Sequence, residues 1–169
     1  MNYFEYYQLP ISYCIDLSIL KKMYFAKSKE VHPDKNLDSS ANDQLRLLEN
    51  AAYNNVAYHT LKNQDTRLAY ILSILNIISV DEKYDLDSFF LMDMIALNEE
   101  LEDYQTSNDT KRILQLELRI KSLLAELEKN IADILASDCN QWNEKQRDKV
   151  KEYYYKKKYL QRLQEGFGK

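Results

Sequence analysis

The chain has 169 residues, 45% of them hydrophobic and 30% charged, with two glycines, two prolines and a formal net charge of −4. The length allows one or two small domains, and scarce glycine and proline beside abundant Leu, Lys, Glu and Ala predict an all-α protein. The negative balance argues against a general nucleic-acid binder, which needs a basic footprint, and no apolar run approaches the length of a membrane span.

Cys14 and Cys139 are isolated, without C-x-x-C spacing, so neither a structural zinc nor a disulfide framework is expected. The N-terminus lacks the charged and apolar regions of a signal peptide and the Arg-rich pattern of a transit peptide, which points to the cytoplasm.

The first long helix places Leu17, Leu20, Tyr24, Ser28 and Val31 on one face, at spacings of three and four. Lys22 and Lys29 lie opposite, flanked by Lys21 and Phe25. Lys27 falls on the inward face, where its stem can pack while the ammonium reaches water. Pro33 cannot continue this helix, and the residue before a proline is pushed out of the α region, so His32 ends it. A second helix is expected from about Asn42 to Leu61, with Leu47, Ala51, Tyr58 and Leu61 inward and Asn54 interrupting the stripe. His32-Pro33-Asp34, followed by Lys35, therefore sits at the tip of a helical hairpin beside a basic face. An exposed tip has no pocket and excludes no water, so it suits docking better than chemistry.

Asp65-Thr66 can cap a further short helix that buries Leu68, Ile71, Leu72 and Leu75. Residues 77–86 carry no helical stripe and read as a linker between a first unit, 1–76, and a second. Three helices follow, at about 87–104, 109–136 and 141–165, with Ser107 or Asn108 capping the middle one and Asn140 the last. The middle helix repeats Ile113, Leu116, Ile120, Leu123, Leu127 and Ile134, the three-four spacing of an antiparallel bundle. The last turns Trp142, Val150, Tyr153, Tyr154 and Leu160 inward, with Lys157 on the same side and Tyr159 outward.

The helix at 87–104 has two apolar faces. Phe90, Met94, Leu97, Leu101 and Tyr104 serve the bundle core, while Leu91, Met92 and Ile95 point to the side or away, near Ala96 and Glu99. Either this second face packs on the first unit or it binds a partner. Clustered exposed apolar surface and adaptable methionine favour the partner. His32 and His59 are the only histidines, with no motif linking them to a nucleophile. No Gly-rich phosphate loop, H-E-x-x-H or cysteine cluster is present, so no catalytic residue, metal or cofactor is expected.

The His32-Pro33-Asp34 tip between two such helices resembles the J-domain of DnaJ-type co-chaperones, and the match continues through Asn55, Ala57, Tyr58, Leu61, Arg67, Ala69 and Tyr70. The opening Met1-Asn2-Tyr3-Phe4-Glu5-Tyr6-Tyr7-Gln8-Leu9-Pro10, with Phe90-Leu91-Met92-Asp93-Met94 ahead of Asn98-Glu99-Glu100-Leu101, resembles the HscB family of bacterial iron–sulfur cluster assembly. That resemblance covers essentially the whole chain. It implies a J-domain at 1–76 and a scaffold-binding three-helix bundle at 87–169. It also implies that His32, Pro33, Asp34, Lys35, Lys21, Lys22 and Lys29 dock on an HscA- or DnaK-type chaperone and stimulate its ATPase. Leu91, Met92, Ile95, Glu99 and Tyr159 match the positions that bind the scaffold IscU. Ala96 stands where the family usually has an acid, and Asn98 where arginine is common. The zinc-binding cysteine pairs of eukaryotic relatives are absent, which favours the bacterial form. A J-domain protein whose bundle serves a different client or only dimerises is the alternative, and weak self-association is allowed as a further property. A helical adaptor with a fortuitous tripeptide is the third.

Overall fold

The structure, a computed structural model, describes residues 1–30, 41–79 and 82–167. Among these residues the fold is all-helical: α1 (Tyr3–Tyr6), α2 (Leu17–Glu30), α3 (Ala41–Lys62), α4 (Gln64–Ile74), α5 (Ser88–Thr106), α6 (Thr110–Ala136) and α7 (Glu144–Gly166), with a 3₁₀ turn at Cys139–Gln141. The chain divides into two compact units, Met1–Asn76 with Asp138–Asn140, and Ile77–Ser137 with Gln141–Lys169.

In the first unit α2 packs against α3, with α1 and α4 also on α3. The Asp16 carboxylate starts α2 by accepting from the N–H of Ser18 at 2.7 Å and of Ile19 at 3.3 Å, which satisfies donors that a helix start leaves unpaired. Phe4, Tyr7, Leu20, Ala57, Leu61, Leu68, Ile71 and Leu72 are buried. Asn54, which interrupts the α3 stripe, is buried within a polar network. Its Oδ1 accepts from the Tyr7 hydroxyl at 2.8 Å, and its Nδ2 donates to the Tyr24 carbonyl at 3.2 Å and the Ser28 hydroxyl at 3.0 Å. One amide thus joins α3 to α2 and to the residue that ends α1. Burial pushes the Tyr7 phenol above its ordinary pKa, so the hydroxyl stays a donor.

Several expectations change here. Leu17 is exposed, and Tyr24, Ser28, Leu47, Ala51, Tyr58 and Leu75 are only half-buried, because the 22-residue α3 is packed by shorter helices of 14, 11 and 4 residues that cover it incompletely. Val31 lies outside the described residues. Asn63, not Asp65-Thr66, caps α4: the helix starts earlier, and Asn63 Oδ1 accepts from Asp65 N at 2.8 Å and Thr66 N at 3.1 Å.

The second unit is built from α5, α6 and α7, with α6 packed against both neighbours. Met94, Leu97, Leu101, Leu116, Ile120, Leu160 and Leu163 form its core. Buried Ile131, Leu135, Trp142, Val150 and Tyr153 extend the apolar interior. Trp142 Nε1 donates to the Ile134 carbonyl and the Ser137 hydroxyl, both at 3.0 Å. Lys157 is buried along its stem, and its ammonium reaches Glu128 at 2.8 Å. Tyr154 is half-buried, not core.

The caps of this unit also differ from those expected. Ser107 ends α5, and Asn108 adopts a left-handed φ of 53°, a turn conformation rather than the extended one an N-cap needs. Asp109 caps α6 through Arg112 N at 3.1 Å. Asn140 lies in the 3₁₀ turn, and Asn143 caps α7 in a reciprocal box with Gln146.

Candidate functional site

At 3.6 residues per turn, Met92 on α5 lies opposite the buried Met94, Leu97 and Leu101. Phe89 and Ala96 flank Met92 on one side and Ile95 on the other, with Glu99 two turns further along. Phe89 is 81% exposed, Met92 67% and Ile95 54%. Ala96, Asn98 and Glu99 are exposed as well. Among the described residues of the second unit, this face is therefore uncovered.

Leu91 is half-buried at the edge of that face. It lines a cavity of about 370 Å³ together with Glu82, Tyr84, Asp85, Leu86, Tyr155, Lys158, Tyr159 and Arg162. Tyr159, expected to point outward, is half-buried: its ring meets Phe90 edge-on at 6.1 Å and packs on the bundle core. The helix face opposite Val150 turns toward α5 here, so Tyr159 forms a wall of the hollow.

The stretch read as a linker is fastened to α7 where it is described. Glu82 pairs with Lys151, and Tyr84 stacks on Tyr155 with ring centroids 4.6 Å apart. Asp87 Oδ1 accepts from Phe90 N at 2.8 Å, and its other oxygen meets Lys156 at 2.9 Å. The hydrogen bond from Lys151 holds the Glu82 carboxyl below its ordinary range. The Phe90 N–H, then Lys156, do the same for Asp87. Burial raises the Tyr84 and Tyr155 phenols. Two ion pairs and one ring stack thus fix the floor beneath Leu91.

In the first unit Lys21, Lys22 and Lys29 are exposed on α2 with Phe25 among them. Lys27 bends inward and sets its ammonium 4.2 Å from the Tyr6 ring centroid, a cation–π contact that accounts for a charge on the inner face. His32, Pro33, Asp34 and Lys35 lie outside the described residues. His59 is exposed on α3. Among the described residues no group of three or more His, Cys, Asp or Glu converges to hold a metal ion, and no helix is long and apolar enough to cross a membrane.

Sequence reasoning passed over Phe89. In Phe89-Phe90 only one ring can serve the core, and the three-residue step from Phe89 to Met92 was the available signal. Tyr84, Tyr155, Lys158 and Arg162 were also missed, because the cavity they line is made by a non-helical segment folding onto α7.

A helical pair with exposed lysines on α2, joined in one chain to a three-helix bundle with an uncovered apolar face, has the two-unit all-α architecture of a J-domain followed by a C-terminal helical bundle. Residues 86–167 match the family described as "HSCB C-terminal oligomerisation domain". The chain is 30% identical over 164 residues to the co-chaperone protein HscB homolog of Colwellia psychrerythraea, covering 96% of this chain and 92% of that one. It is 35% identical over 154 residues to the homolog of Aliivibrio salmonicida, covering 83% and 86%. The solved chaperone HscB from Vibrio cholerae superposes with a TM-score of 0.75 at 27% identity, over 99% of this chain and 96% of that one. The chain belongs to the HscB family, the co-chaperones of iron–sulfur cluster assembly.

Proposed function

We propose that this co-chaperone stimulates ATP hydrolysis by an HscA- or DnaK-type chaperone and delivers an IscU-type iron–sulfur scaffold to it in the cytoplasm. Residues 1–76 act as the J-domain, 77–86 connect, and 87–169 hold the scaffold. The chaperone meets His32, Pro33, Asp34 and Lys35 together with Lys21, Lys22 and Lys29 of α2. The scaffold meets Leu91, Met92, Ile95, Ala96, Glu99 and Tyr159. Chemistry and nucleotide belong to the chaperone, and this chain biases its equilibrium by contacting one state more favourably than the other.

The observation that carries the reading is the exposure of Met92 and Ile95 directly beside the Leu91–Tyr159 hollow. Such residues contribute nothing to the bundle core, and an apolar cluster left in water marks a partner site. Replacing Met92 and Ile95 together by Ala tests it. Exposed positions usually change stability by less than about 0.5 kcal/mol, so the double variant should melt like the parent, lose scaffold binding in titration calorimetry, and still stimulate the chaperone when scaffold is absent. Normal scaffold binding by the folded variant would place the client elsewhere.

The oligomerisation named for the matched C-terminal family, with Leu114 and Leu118 of α6 both exposed one turn apart, supports weak self-association as a second property. Sedimentation at increasing concentration reads it.

A further inference from the structure

We infer that Phe89 is an additional anchor for the scaffold, one that shifts recognition in this chain from polar toward apolar contact; this rests on the functional reading above. Phe89 is the most exposed of the large apolar residues of α5, while its neighbour Phe90 turns inward against Tyr159 and the core. It lies three residues before Met92 and seven before Ala96, so it continues the stripe by one turn on the side where Ala96 leaves a gap. A carboxylate at 96 would add a second charge beside the exposed Asp93, which borders the stripe one turn after Phe89, whereas a methyl group keeps the strip from Phe89 through Met92 to Ile95 apolar. The occupant is the same folded scaffold, because the ring is continuous with the face already assigned to it. The scaffold is expected to offer a hollow for one aromatic ring. A phenyl ring removes a large apolar area from water at small entropic cost, which is why one buried aromatic so often dominates an interface.

The test is calorimetric affinity of the full-length chain for purified, cluster-free scaffold, comparing Phe89→Ala and Met92→Ala with the parent. Phe89→Ala should weaken binding by about tenfold or more, by the same factor at low and high salt, with an unchanged melting temperature. Weakening by Met92→Ala with parental affinity in Phe89→Ala would overturn the anchor and leave the functional reading standing. Parental affinity in both would overturn the two together. A loss of affinity in Phe89→Ala that comes with a lowered melting temperature would make Phe89 a structural residue and also overturn the anchor.

Discussion

At the scale of the residue, Asn54 shows how a position that breaks a pattern can hold a unit together. An amide on an apolar stripe is costly when buried unless each polar atom finds a partner. Here Oδ1 takes the Tyr7 hydroxyl and Nδ2 spans to α2. Tyr7→Phe leaves Oδ1 buried without that donor, and an orphaned acceptor costs roughly 1–3 kcal/mol. Denaturant unfolding of Tyr7→Phe should report a loss in that range. The double variant Tyr7→Phe with Asn54→Leu should recover part of it, since no orphan remains. Additive losses would mean that the two side chains are not coupled. The sequence marked Asn54 as an interruption but not what it bonds, because its partners lie 47 and about 30 positions away.

Elements were legible where a repeated physical constraint wrote them. Scarce helix breakers and the three-four spacing on α6 were enough to expect the long helices, and α3 to α7 lie within a few residues of those expected, while the one-turn α1 was not expected because four residues carry no periodic pattern. Starts were less legible, because Asn63, Asp65, Asn140 and Asn143 are all able to cap and only the fold chooses among them. The segment before α5 was least legible. It has no periodic pattern, and its order comes from contacts with α7 more than 60 residues later. Those contacts make it sensitive to acid. The folded carboxyls of Glu82 and Asp87 lie below their ordinary range, so near that range the unfolded chain binds more protons than the folded one. Their contribution is therefore present above about pH 4 and is lost as pH falls through the lower folded values. The protection of amides 82–90 against exchange, taken relative to the intrinsic rate at each pH, should fall over that acid window, and Glu82→Gln should remove part of the step. Protection that stays flat with pH would show that the Tyr84–Tyr155 stack alone holds the segment.

For the whole molecule, a net charge of −4 hides an uneven distribution: lysines cluster at 21–35 and 145–158, and acids at 81–103. The two proposed docking tasks therefore differ in physics as well as in place. An exposed basic face speeds encounter with an acidic partner and loses range as salt screens it, with a Debye length of about 8 Å at physiological strength. An apolar face does not depend on salt in that way. Reversing Lys22 and Lys29 to Glu should weaken docking to the chaperone and flatten its salt dependence, with scaffold affinity kept. His32→Gln should abolish stimulation of the chaperone's ATPase in single-turnover assays while scaffold binding persists. Circular dichroism should show that the helices of both variants are intact, since Lys22 and Lys29 face solvent. Undiminished stimulation by a folded His32→Gln variant would sink the proposed route to the chaperone. An unchanged salt slope in the double lysine variant would move the docking surface off α2. Joint loss of both activities in either variant would mean that the two tasks are coupled rather than separable.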